Sequence, residues 1–207
     1  ILPAIPAVIL GAFYSQISLL LISIFGQTTS IAQVAALNKL AQIFAVFMTF
    51  NVVIIEPYVA RLSRERLLPT YLGFIAANAV LCVPLVIFAF AFPTAFLWVL
   101  GKKYASLGNL VGWVVMAGCI NQLAGLMWVM NRSRKWVFWS GTILEIALLL
   151  IVQVTYIVVI GVRTTQQAVL FTLASSFCYV VAHGYVGIYG FLKGPRNSSE
   201  SGVINEI

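Results

Sequence analysis

Long apolar runs alternate along the chain with short polar or basic punctuation, and each run is long enough to be a membrane-spanning helix. The first covers residues 4–25 and carries Tyr14, Ser15, Gln16, Ser18 and Ser23, a polar set suited to facing other helices. A polar turn, Gly26 to Ser30, leads into the second run at 31–60. The third covers 70–92, with Pro84 inside it and Pro93 at its end. The fourth, 109–130, contains Asn121 and Gln122, and the fifth, 137–160, contains Glu145. The sixth, 166–192, holds Ser175, Ser176, Tyr179 and His183. The pattern predicts an all-α integral membrane protein, a bundle of six transmembrane helices over residues 1–192. A Ser- and Asn-rich tail at 193–207 has the composition of a disordered segment.

The second run holds the residue least at home in lipid. Lys39 sits inside it, and near a helix centre a lysine costs roughly 2.5–3.5 kcal/mol. At 100° per residue, Lys39, Gln42, Val46, Thr49, Val53 and Glu56 fall in one sector of about 100°, a mixed polar stripe. The run is roughly 45 Å long as a helix, so it must tilt, kink or protrude beyond a core of about 30 Å. Pro57 is the expected kink or exit point.

Composition fixes the class. The 207 residues are 62% hydrophobic and 8% charged, where a soluble domain has about 25% charged residues. The net charge of +7 does not point to nucleic acid, because the basic residues lie in short loops between apolar runs and read as topology signals. With six spans, Arg61, Arg64, Arg66, Arg132, Arg134, Lys135, Lys193 and Arg196 share one side, and Lys102, Lys103 and Arg163 the other. That bias places both ends in the cytoplasm. The link 94–108 has room for a short interfacial helix, with Trp98 and Tyr104 at headgroup level. Cys82, Cys119 and Cys178 stand far apart in apolar runs, as small packing residues with no metal-ligand spacing. The opening Ile-Leu-Pro has neither an initiator Met nor a signal-peptide pattern, so the expectation is a fragment of a longer chain.

Few residues remain for chemistry. Lys39 lies about 8 residues in from the outer end of its run and Glu145 about 8 from the inner end of its own, roughly 12 Å each. The two charges either pair or share a central cavity, unless Lys39 snorkels outward. Glu56 is expected in an interfacial salt bridge with Arg61. His183 reads as a satisfied bundle histidine before a proton relay. Gln42, Asn121, Gln122 and Gln153 either bond between helices or line a cavity. Ser140 and His183 both approach the cytoplasmic leaflet, but Phe138 stands where the Gly-x-Ser-Gly motif of a rhomboid-type protease needs glycine. The chain has no aspartate and no metal-ligand cluster, and nothing in it points to catalysis, a metal or a cofactor.

A family resemblance rests on the second run. Ala36-Leu37-Asn38-Lys39-Leu40-Ala41-Gln42-Ile43, then Pro57 and Ala60-Arg61-Leu62, resembles the C-terminal lobe of polysaccharide (O-antigen-type) flippases of the multidrug/oligosaccharidyl-lipid/polysaccharide exporter superfamily. Leu100-Gly101-Lys102-Lys103-Tyr104 is similar to that family's external Leu-Gly-x-x-Tyr link. The resemblance implies one lobe of a two-lobe transporter of the cytoplasmic membrane, whose partner is a missing N-terminal six-span lobe. The implied activity is flipping a polyprenyl-diphosphate-linked oligosaccharide to the outer leaflet for surface polysaccharide synthesis. In that scheme Lys39 meets the diphosphate, Gln42 and Asn121 meet the glycan, and Glu145 couples an ion. A multidrug antiporter half of the same superfamily is the alternative, and a non-transporting membrane scaffold subunit is another.

Overall fold

The computed structural model describes residues 5, 6, 9, 17, 20–24 and 28–193. Most of the first predicted run and all of the tail after Lys193 lie outside these. Among the described residues five helices are long and apolar enough to cross a membrane: Ser30–Ala60, Arg64–Ala91, Tyr104–Ser133, Trp139–Val159 and Thr165–Lys193. They correspond to the second through sixth predicted runs. The protein is an all-α, multi-pass membrane bundle.

The first of the five is a rod with two defects. It consists of α1 (Thr28–Ala41), α2 (Ile43–Phe50) and α3 (Glu56–Ala60). The winding tightens at Gln42, whose N–H donates to the Lys39 carbonyl at 3.2 Å while Ala45 N–H donates to the Gln42 carbonyl at 3.0 Å. It widens at Asn51–Ile55, a π-helical turn in which Glu56 N–H reaches the carbonyl of Asn51, five residues back. Pro57 has no N–H to offer Val53, and the wide turn just before it carries the rod past the proline without ending it. Pro57, expected as a kink or exit point, lies in the last short segment of the rod, which ends three residues later at Ala60.

Two predicted loops are partly helix. The basic stretch Arg61 to Pro69 shrinks, because α4 (Arg64–Ala91) begins at Arg64. Pro69 is the sixth residue of this helix and removes one intrahelical bond, the one to Glu65. Tertiary packing outweighs that loss: Leu67 and Tyr71 are buried, the Tyr71 ring meets Phe191 edge-on at 5.5 Å, and Arg64 Nη2 donates to the Phe191 carbonyl at 3.2 Å. Following α5 (Pro93–Leu100) and a 3-10 turn at Lys102–Leu107, α6 (Gly108–Ser133) runs past its predicted end. It closes with Lys135 at φ 60° and two crossing bonds, Trp136 N–H to Asn131 and Lys135 N–H to Arg132, both 2.9 Å. That is the Schellman closure, here with lysine in the left-handed position.

The bundle is completed by α7 (Trp139–Val159) and α8 (Thr165–Lys193). The core pair is α6 with α8, which are largely buried, and the rod, α4 and α7 pack around them with broad exposed faces. Small residues set the spacing. A side chain at Gly118 would overlap Phe44 of the rod, one at Gly112 the Phe90 ring of α4, and one at Gly190 the Trp136 ring. In lipid, such close approach supplies the dispersion contacts that hold helices together. The link between α4 and α6 is the short helix expected from sequence, with Trp98 86% exposed and Tyr104 packed partly into the core. All three cysteines are free, and Cys119 and Cys178 donate weakly to the carbonyls of Cys82 and Leu148, both at 3.8 Å.

Candidate functional site

The stripe on the rod faces out of the bundle. Lys39, Gln42 and Thr49 are exposed, as are Val46 at 72% and Val53 at 64%. Lys39 lies nine residues along the rod from Ser30, about 13 Å. Among the described residues no carboxylate comes within 4.0 Å of it. The tightened turn at Gln42 falls one turn below, so the two stripe residues expected to meet substrate bracket a defect in the winding.

A second feature lies on the inner side of the same helix. A cavity of about 60 Å³ sits between α1, α6 and α8. Its polar lining comes from Asn38, Asn121, Thr172 and Ser176, and the rest is apolar or small. Asn121 lines this cavity, whereas Lys39 and Gln42 are not among the lining residues. Asn38 takes the inward position instead. It shares a face with Val34, Leu37 and Ala41, a spacing the helical wheel already contains, while Lys39 is rotated 100° away. The volume admits a few waters and is far below that of a sugar ring. Ser176 is fully buried, and its hydroxyl donates to the Thr172 carbonyl at 2.9 Å, so its lone pairs remain for the cavity.

Glu145 does not meet Lys39. Its Oε2 lies 4.0 Å from Nδ1 of His183, and both side chains are buried. The His183 ring is tilted against Trp128 of α6 at 5.5 Å and Tyr179 of α8 at 6.1 Å. Its carbonyl accepts from Asn131 Nδ2 at 2.9 Å, and Asn131 Oδ1 in turn accepts from the Tyr71 hydroxyl at 3.2 Å. The bond from Asn131 engages only the main chain of His183, and its ring faces a carboxylate. Sequence reading passed over Asn131 and Tyr71, because a run's end and a loop's start carry no mark of burial. Gln153 is an interhelical bridge, donating from α7 to Ser175 of α8 at 3.4 Å.

The salt bridge expected for Glu56 has a different partner. Arg132 of α6, rather than Arg61, holds it with two bonds, Nε to Oε1 at 3.1 Å and Nη2 to Oε2. Arg61 follows the last turn of α3 and is exposed, whereas α6 ends directly opposite. Arg134 Nη1 adds bonds to the carbonyls of Ala60 at 3.2 Å and Leu62 at 3.1 Å. The basic loop after α6 therefore braces the end of the rod. No family model, curated protein or solved structure matches this chain.

Proposed function

We propose that the protein is one lobe of a membrane transporter that flips polyprenyl-diphosphate-linked oligosaccharide from the inner to the outer leaflet of the cytoplasmic membrane. The observation that carries this reading is the exposed Lys39, within an apolar span on the flank of the bundle and without a carboxylate within 4.0 Å among the described residues. A charge there is costly against lipid, so the stripe calls for a polar covering. A second lobe across a water-filled cleft supplies one, and such a cleft suits a headgroup that carries both a diphosphate and a hydrated glycan. Lys39 then acts as a point charge on a flexible stem toward the diphosphate. Gln42, on the same exposed stripe, faces the glycan, and Glu145 belongs to the coupling machinery, while Asn121 lines the separate inner cavity, which is too small for a sugar ring. Both ends of the chain lie in the cytoplasm, in keeping with the bias of its basic loops.

The test uses the protein as the cell makes it, reconstituted in liposomes with a fluorescent polyprenyl-diphosphate oligosaccharide. Lys39→Ala should abolish translocation at unchanged protein yield, and Lys39→Arg should retain part of it. Full translocation by Lys39→Ala would remove Lys39 from the mechanism. Absence of translocation by the unaltered protein, with a cationic drug exported instead, would favour the antiporter reading.

A further inference from the structure

We propose that Glu145 and His183 form a proton-binding site, two side chains from neighbouring spans that hold one proton between them while the bundle is closed. The proposal deepens the transport reading, since it assigns the coupling ion, but the site itself stands on geometry that does not depend on the substrate.

The pair is buried, and its nearest atoms lie 4.0 Å apart. That separation suits opposite charges and is too long for a hydrogen bond. With one proton present, the pair has no net charge, whether as carboxylate with imidazolium or as carboxylic acid with imidazole. Adding a second proton or removing the first leaves a net charge inside an apolar bundle, which is costly without water. The proton is therefore retained until the surroundings open, and exchange is tied to a change of shape. The Trp128 and Tyr179 rings lie 5.5 and 6.1 Å from the imidazole, centroid to centroid.

The choice of ion follows from the ligands. A sodium site needs several oxygens around one point, and the group facing Glu145 is an imidazole, which takes up protons. The other titratable neighbours are Tyr179, one turn earlier on α8, and Tyr71 of α4, which reaches the His183 carbonyl only through Asn131. From α6 the neighbours are Trp128 and Asn131, neither of which titrates. Among the described residues His183 is the one basic group within 4.0 Å of Glu145.

The site is also wired to the packing. Tyr71, Asn131, His183 and Glu145 belong to α4, α6, α8 and α7 in turn, so the pair bridges α7 and α8, and the main-chain carbonyl of His183 joins that contact through Asn131 to Tyr71.

Infrared difference spectroscopy on the full chain in lipid, stepped through pH, tests the site. A carboxylic C=O band should appear on acidification and be lost in Glu145→Gln. In His183→Gln its midpoint should move by about one pH unit or more, as for two groups in direct electrostatic contact. An unmoved midpoint, or an unchanged band in Glu145→Gln, overturns the proposal. Should His183→Gln not fold, His183→Asn supplies the same readout. Translocation is measured in parallel under an imposed pH gradient, and its gradient dependence should be lost in Glu145→Gln. Gradient dependence that survives in that variant overturns the coupling role. Absence of translocation in the unaltered protein removes the transport reading and leaves the infrared result to decide the proton site.

Discussion

The Phe44 ring occupies the space in which a side chain at residue 118 would have to stand. The contact joins the rod to α6 beside the cavity that Asn38 and Asn121 line, so the absence of a Cβ at Gly118 sets how closely those two helices approach. Gly118→Ala should lower stability by about 1–3 kcal/mol, the usual range for overpacking. Phe44→Leu should relieve part of that loss, so the double variant should be more stable than the sum of the singles implies. Thermal unfolding in detergent micelles measures both. An unchanged melting temperature in Gly118→Ala would mean that the helices part there at no cost.

The spans were legible because lipid imposes long apolar runs, and the stripe was legible because one helical wheel contains it. The wheel also contained Asn38, but its inward direction depends on which face of the rod meets α6, and a single helix does not encode that. Helix ends failed for a related reason. Arg64 to Pro69 reads as a loop by composition, yet burial of Leu67 and Tyr71 draws it into α4. The pairings of Glu56 with Arg132 and of Glu145 with His183 join residues 76 and 38 positions apart. They depend on the register between helices, which no periodicity within a helix reveals.

Asn131 is fully buried and links α4 to α8 through two hydrogen bonds. Interhelical bonds in membrane proteins average roughly 0.6 kcal/mol, with about 1.7 kcal/mol at the upper end. Asn131→Ala removes both bonds and leaves the Tyr71 hydroxyl without this partner, so its cost should reach the upper end. Tyr71→Phe leaves Asn131 bonded to His183 and should cost less. Reversible unfolding of the two variants and their double fixes the order, and a larger loss from Tyr71→Phe would show that Asn131 is not the hub.

Arg132 and Glu56 meet where the rod and α6 both reach the basic loops, and both side chains are partly exposed. Exposed pairs contribute about 0.2–1 kcal/mol and weaken with salt. Glu56→Lys brings a second cation against Arg132 and should lower folded yield in low salt, and Arg132→Glu should do so from the other side. The exchanged pair, Glu56→Lys with Arg132→Glu, should recover most of the yield. Failure to recover would place the importance of Arg132 in its position at the helix end rather than in the pairing.

Two surfaces that are equally exposed should differ in what covers them. Gln42 and Thr49 lie on the stripe with Lys39, whereas Val80 and Ile87 of α4 are exposed on a helix whose outer face carries no charge between Arg66 and Phe92. If the stripe borders a water-filled cleft, single cysteines at 42 and 49 should react with a charged, membrane-impermeant thiol reagent. Cysteines at 80 and 87 should not, since a thiol in hydrocarbon neither ionises nor meets the reagent. The native cysteines are replaced by alanine or serine first. Labelling that a polyprenyl-diphosphate oligosaccharide suppresses at 42 would connect the cleft to its substrate. Equal silence at all four positions would mean that lipid or a tightly packed partner covers the stripe, and Lys39 would then serve helix assembly rather than transport.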